Sequence, residues 1–200
     1  MRRLIIGSAI MAFLAVIFLA AWALTAPAVS PAAVDAAKEA LRNELGLLPD
    51  DATLMVVDFT RASFRKRLLV MDLQSGDRKY HLVAHGRNSG RLFATEFSNE
   101  VGSRMSSLGL YRVTDQYQGR HGLSLRLTGL SKSLNQNAEK RGIVIHSAEY
   151  VSMRSMLMNA VDGFRIGRSE GCFALGKQGF AAVYESLRPQ AFLFAYGGSQ

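Results

Sequence analysis
Cys172 is the single thiol of this 200-residue chain. It closes the run Gly167-Arg168-Ser169-Glu170-Gly171-Cys172. The two glycines favour a tight, exposed turn, which presents a side chain instead of burying it. Such a turn also leaves backbone N–H groups free to point at an oxyanion. A lone cysteine is most often a small buried hydrophobe. Here glycine, serine and charged residues precede it, and that context argues against burial. An unpaired thiol in an exported chain is also open to oxidation, so its presence suggests use. On residue type and context, a nucleophile and a structural thiol both stay open. A single cysteine excludes an internal disulfide framework and a Cys-based zinc site.

A thiol nucleophile needs a base, because the thiolate attacks and a free thiol has a pKa near about 8.5. Four histidines are available. His81 lies inside a predicted strand and reads as structural. His121 lies in a turn and reads as solvated. His85, at a strand end before Gly86, reads as a cleft residue. His146 is the best candidate, because the apolar run Gly142-Ile143-Val144-Ile145 would deliver it rigidly to a rim. Ser147 could fix its imidazole tautomer by a hydrogen bond. A rigid base beside a glycine turn suits Cys/His acyl transfer.

The elements that must position these residues are mostly strands. Thr53–Phe59, Arg67–Leu73 and Arg78–Ala84 are short runs rich in apolar and β-branched residues. Gln74-Ser75-Gly76-Asp77 between the last two signals a hairpin. Leu110–Tyr117 and Leu123–Leu127 flank a second hairpin turn, Gly119-Arg120-His121-Gly122. In its second arm Leu123, Leu125 and Leu127 alternate with Ser124 and Arg126, so one face is predicted buried and the other wet. Gly142–Ile145 and Ala191–Tyr196 complete the strands. Lys132–Lys140 and Lys177–Leu187 are predicted helical. Many short strands with few helices predict a mostly-β sandwich or barrel. The stretch Gly86–Ser107 holds three glycines, five serines and two asparagines with little periodicity. A loop of that length is uncommon in a compact domain; it reads either as one rim of a cleft or as a tolerated surface insertion.

The N-terminus addresses compartment. Arg2 and Arg3 precede an uncharged, apolar run from Leu4 to Leu24, and the first acid is Asp35. This is the pattern of a basic n-region and an apolar h-region, with Ala26-Pro27-Ala28 as a cleavage site after Ala28. Residues 4–24 are also nearly long enough to stay as an uncleaved membrane anchor. Residues 1–28 are thus read as a signal peptide or membrane anchor. Residues 29–50 are read as a helical linker: Ser30 suits an N-cap, Pro31 the first turn and Gly46 the position after the end. Residues 51–200 form the domain. Hydrophobic content of 48% and charged content of 20% exclude a disordered or fibrous chain. The net charge of +8 allows anionic partners. Nucleic acid is not expected, since export is predicted, the basic residues are scattered and no binding motif is present. The densest group, Arg65-Lys66-Arg67, reads as a solvated face.

His146-Ser147 followed by Ser169-Glu170-Gly171-Cys172 resembles the signature of the L,D-transpeptidase (YkuD-type) catalytic domain, and the surrounding text resembles its murein L,D-transpeptidase branch. The matching pieces are His85-Gly86 with Ser89-Gly90, Phe97-Ser98-Asn99, Ser106-Ser107-Leu108-Gly109, His121-Gly122-Leu123-Ser124-Leu125, Ile143-Val144-Ile145-His146 and Gly167-Arg168-Ser169. They run in order from about Leu54 to about Leu175.

The resemblance implies a YkuD-like, mostly-β fold with a few short helices and a catalytic cleft. It implies peptidoglycan stem peptides as substrate, carbapenem-type β-lactams as covalent inhibitors and no metal or organic cofactor. Cys172 would be the nucleophile, His146 the base and then the acid, and Ser147 or its carbonyl the group that orients the ring. Backbone N–H groups of Cys172 and of Gly171 or Glu170 would form the oxyanion hole. Arg168, Ser169 and His85 would meet the substrate. The implied compartment is the periplasm or cell envelope, with inner-membrane anchoring if the leader is kept.

Two departures stand out. Glu170 occupies a place where many members carry histidine, and its charge should raise the thiol pKa unless Arg168 offsets it. Phe173-Ala174 follow the cysteine where many members carry an arginine or asparagine, which leaves Arg168 as the substitute candidate for the substrate carboxylate, or as a turn arginine paired with Glu170. The competing readings are an L,D-carboxypeptidase or cross-link hydrolase on the same scaffold, a non-catalytic wall-binding protein, and an unrelated exported cysteine protease.

Overall fold
Ser30, Pro31 and Gly46 bound the first helix, α1 (Pro31–Leu45), as their residue types require. The Ser30 Oγ accepts from the Ala33 N–H, and Gly46 takes a left-handed φ of 77° while its N–H closes onto the Arg42 carbonyl. The computed structural model describes residues 27–158, 166 and 168–198. The apolar leader 4–24 lies outside them, and no helix among the described residues is long and apolar enough to cross a membrane.

Eight strands follow: β1 (Ala52–Asp58), β2 (Leu68–Asp72), β3 (Arg78–His81), β4 (Gly109–Gly119), β5 (Gly122–Gly129), β6 (Val144–Ser147), β7 (Phe173–Leu175) and β8 (Gln190–Tyr196). Two helices, α2 (Met153–Met158) and α3 (Lys177–Glu185), sit between β6 and β7 and between β7 and β8. The strands form one sheet in the order β3-β2-β1-β8-β4-β5-β6-β7. β1 with β8, and β6 with β7, are parallel; the other pairs are antiparallel. The two edges nearly meet. The chain running on from β3 donates its Ala84 N–H to the Ala174 carbonyl of β7 at 2.9 Å, and Gly86 bridges Ser169. The fold is therefore a nearly closed sheet, not two stacked sheets.

Alternation decides what fills it. Met55, Val57, Leu68, Val70, Tyr111, Leu125, Ile143, Ile145, Phe173, Leu175 and Leu193 converge in one apolar cluster. The opposite face of β1 and β2 (Leu54, Val56, Leu69, Met71) is covered by Ala33, Ala37 and Leu41 of α1. β1 is consequently buried at every position. The helix read as a linker is thus packed onto the sheet. The buried Asp58 carboxylate, which accepts the Ser30 N–H at 2.8 Å, ties its start to the end of β1.

Two expectations fail for identifiable reasons. Residues 132–140 form successive turns and not a helix. Buried Asn135 spends its amide on the Leu108 and Leu110 carbonyls, its Oδ1 takes the Ser131 N–H, and Ser133 sits at φ 66°. Side chains that bond the backbone in this way compete with a helical ladder. Arg67, read as part of a solvated face, has no exposed surface. Its guanidinium lies 5.0 Å over the Phe59 ring and donates to the Val83 and Arg61 carbonyls and to His85 Nδ1.

Candidate functional site
The parallel register of β6 and β7 brings the two halves of the sequence signature together. Ile145 pairs with Phe173, His146 with Ala174 and Ser147 with Leu175. Ile145, Phe173 and Leu175 point into the core, Phe173 stacking on Phe59 at 6.3 Å and meeting Tyr111 edge-on at 5.5 Å. Side chains alternate across a strand. His146 and Ala174 therefore share the opposite face, and Cys172 stands two residues before Ala174, just ahead of β7. Phe173, a departure from the family pattern, is an interior anchor that fixes this parity.

The imidazole is set by its neighbour. His146 Nδ1 lies 2.9 Å from the Ser147 carbonyl, and an oxygen acceptor there requires the proton on Nδ1. Nε2 then carries the free lone pair. The carbonyl, not the hydroxyl, of Ser147 is the orienting group. Burial lowers the His146 pKa from its ordinary value, with His121 and Arg120 adding to the effect and the Ser147 carbonyl opposing it. The Cys172 thiol donates to the Gly142 carbonyl at 3.6 Å. Burial raises its pKa; the Val144 N–H, Arg120 and Arg141 pull it back, and Glu170 adds a smaller upward push. Both shifts favour the uncharged forms of the thiol and the imidazole.

The turn before Cys172 is locked by its own serine. Ser169 Oγ donates to the Cys172 carbonyl at 2.6 Å and accepts the Gly171 N–H at 3.1 Å. Ser169 is buried, and its N–H and carbonyl bond His85 and Arg87 across the sheet closure. Ser169 therefore braces the turn, and the Gly171 N–H is occupied by its hydroxyl. His85, expected in a cleft, is also fully buried. Its Nδ1 accepts from Arg67 at 2.7 Å and its Nε2 lies 3.3 Å from the Gly90 carbonyl. Burial and the Arg67 charge push its pKa down to about 4. It supports the loop from beneath. Arg168 is half-buried, and Gly167 lies outside the described residues. Glu170 is exposed and paired with Arg87 and Arg104, so these two arginines answer its charge.

Several residues at the site carried no local signal. His121 is exposed, as expected of a turn residue, and its ring also stacks on His146 with centroids 4.2 Å apart and planes 22° from parallel. Ser124, pairing with His146 across β5 and β6, is buried beneath this stack and not wet. His121-Gly122 stands among the matching pieces of the family resemblance, which is the one sequence signal that could have flagged it. Arg141 binds the long loop to the site, donating to the Ser98 carbonyl, Ser107 Oγ, Ser103 Oγ and the Met105 carbonyl. Asn99 adds two bonds to Asn137. The loop 86–107 therefore flanks the Cys172 turn as a braced rim. Tyr150, its pKa pushed up to about 12 by burial and by the neighbouring Cys172, lies on the same side.

Gly171 is where turn and loop touch. Its φ is +118°, and an added Cβ would stand 2.8 Å from the Met105 carbonyl oxygen and 3.1 Å from Arg141 Nη2. Gly171→Ala should displace the turn and slow acylation of Cys172 by about 10²-fold, the usual scale for a misplacement near 1 Å. Stopped-flow acylation of the variant checks this; a rate within threefold of wild type would show that the turn tolerates the shift.

No curated protein matches the sequence. Among solved structures, the helical cell shape determining protein Pgp2 of Campylobacter jejuni is 14% identical with a TM-score of 0.50, over 76% of this chain and 49% of that one. An L,D-transpeptidase of Mycobacterium smegmatis is 13% identical with a TM-score of 0.45, over 73% and 59%. The L,D-transpeptidase LdtMt1 in complex with imipenem is 12% identical with a TM-score of 0.42, over 73% and 59%. The chain thus spans about half to three fifths of these proteins. Residues 25–196 match the family model of the L,D-transpeptidase catalytic domain, a match that takes in α1, the whole sheet and both His146 and Cys172, and this chain belongs to that family.

Proposed function
We propose that the protein is an exported cysteine L,D-transpeptidase of peptidoglycan stem peptides, working through an acyl-enzyme on Cys172. The observation that carries this is the His146 tautomer: its Nδ1–H is held by the Ser147 carbonyl, leaving Nε2 basic on the strand that pairs with the one beginning just after Cys172. In the first half-reaction the thiol proton passes to Nε2 and Sγ attacks the carbonyl carbon of the L,D-peptide bond. The C–N bond breaks, the imidazolium returns the proton to the leaving amine, and a D-amino acid departs from a thioester. An amine of a neighbouring stem then attacks the thioester, giving its proton to His146, and Sγ leaves and takes that proton back. With the Gly171 N–H occupied, the Cys172 and Glu170 N–H groups are the donors left for the oxyanion. The hairpin tip on one side and the braced loop 86–107 on the other would bound the substrate cleft. Secretion or anchoring through residues 1–28 would put the reaction in the periplasm or cell envelope, beside the anionic wall that the positive net charge suits.

The test is intact mass after incubation with imipenem, with Cys172→Ala as control. A covalent adduct on the wild type that the variant lacks is the expected result. No adduct on folded protein whose thiol still reacts with iodoacetamide would overturn the reading in favour of wall binding without catalysis. Digestion of peptidoglycan by the active protein then separates transfer from hydrolysis, since in the latter water takes the acyl group.

A further inference from the structure
Glu170 and its two arginines form a cluster that the acyl-transfer chemistry does not use. Arg104 Nε lies 3.0 Å from Glu170, and the Arg87 guanidinium grips its other oxygen. All three side chains are exposed. Two guanidinium groups around one carboxylate leave a net charge of +1, with N–H donors to spare on both forks. The cluster adjoins Cys172: the Glu170 charge acts on the thiol, and Arg87, Glu170 and Cys172 all act on Tyr150.

Arg104 is placed there at a cost in backbone conformation. It is one of two non-glycine residues among those described with a positive φ, at 57°. Such residues persist only where their surroundings hold them, and they gather at ligand clamps. Here the Arg104 carbonyl takes the Asn88 N–H, the Ser103 carbonyl takes the Asn88 side-chain amide, and Arg141 grips Ser103 and Met105 on either side. Gly86 lets this backbone in: a Cβ there would stand 2.6 Å from the Arg104 oxygen. The position after Cys172, meanwhile, is a buried phenylalanine and offers no charge to a substrate.

We propose that Arg87 and Arg104 form the binding site for the terminal carboxylate of the leaving D-amino acid, with Glu170 as an internal carboxylate that holds the two forks in place and competes for them. This rests on the stem-peptide reading above. Arginine forks suit a carboxylate through paired N–H bonds. The terminal carboxylate belongs to the residue just beyond the bond that Cys172 would break.

The test uses full-length protein carrying Cys172→Ala, so that nothing is consumed. Calorimetry would compare a synthetic L-Ala-γ-D-Glu-meso-diaminopimelyl-D-Ala tetrapeptide with its C-terminal amide. The acid should bind at least tenfold tighter than the amide. Adding Arg87→Gln and Arg104→Gln together should erase that preference, each alone giving an intermediate value. Adding Glu170→Gln should tighten the acid severalfold and leave the amide unchanged. This opposite sign is what a merely structural ion-pair network cannot produce. Glu170→Gln weakening both peptides, the double arginine variant weakening both equally, or no binding of either peptide would each overturn the proposal. Its failure is separable from that of the enzyme reading. A wild-type imipenem adduct with no acid preference leaves the thiol chemistry standing, and an acid preference without an adduct leaves the carboxylate site standing.

Discussion

His146→Ala is expected to slow acylation of Cys172 by imipenem about 10³-fold at neutral pH, the middle of the range for loss of a positioned general base. The resting thiol is protonated, since burial raises its pKa, and the resting imidazole is neutral, since burial lowers its own. The two shifts set the pH profile. The base is competent when neutral, so a lowered pKa carries competence to more acidic pH than the ordinary histidine value of about 6.5. The thiol is raised, so it still needs that base on the alkaline side of neutrality. Wild-type rates should therefore form a broad plateau spanning neutral pH.

The variant should behave otherwise. Without a base, the rate follows the small thiolate fraction, which grows tenfold per pH unit until the raised thiol pKa is reached. A log-linear rise across neutral pH is the expected signature, with the melting temperature little changed. Stopped-flow acylation from pH 5 to 10 checks both chains. A variant that keeps the wild-type plateau would remove His146 from the chemistry.

Arg67→Met should destabilise the protein by about 3–5 kcal/mol, the scale for stripping a buried charged group from its partners. At 2–4 °C per kcal/mol for a chain of this size, the melting temperature should fall by roughly 6–20 °C. Methionine fills the volume over Phe59 but donates nothing. The Val83 and Arg61 carbonyls and His85 Nδ1 would be left buried and unpaired. Burial already pushes the Arg67 pKa down to about 9, yet the residue stays charged at neutral pH.

The His85 partner adds a pH arm. Its folded pKa of about 4 lies below the unfolded value near about 6.5. Between those values the unfolded chain binds more protons, so stability falls as pH drops through that window, by up to roughly 3 kcal/mol. His85→Gln should flatten that dependence. The damage from Arg67→Met should also reach the site, because the His85 carbonyl accepts the Ser169 N–H at 3.0 Å and Gly86 bridges Ser169. Thermal melts from pH 4 to 8, run beside acylation rates, would show it. A melting loss under 3 °C would mean that the core reorganises around the missing guanidinium.

Much of the scaffold was legible because it obeys short-range rules. The Ser30 and Pro31 start and the Gly46 stop of α1 act within one helical turn. The hairpin turns at 74–77 and 119–122 and the alternating leucines of β5 act over a few residues, and β2–β3 and β4–β5 pair where they indicate. The Gly-rich turn ahead of Cys172 and the apolar run ahead of His146 were legible for the same reason. Family membership was legible because many short pieces recur in order.

The long-range arrangement was not legible, because its partners lie far apart in the chain and depend on which side of the sheet closes over them. Arg67 looks like its charged neighbours until the sheet folds around it and His85, 18 residues on, accepts its proton donor. His121 reads as a turn residue until the β4–β5 hairpin bends it onto His146. Glu170 looks like a liability to Cys172 until the long loop returns Arg87 and Arg104 to it. Ser169 and Gly171 look ready to meet a substrate, and the closed turn binds them to each other. Local preferences choose helices, strands and turns within a few residues. Burial, register and the pairing of charges are properties of the assembled sheet, and they assign each polar group of the site its partner.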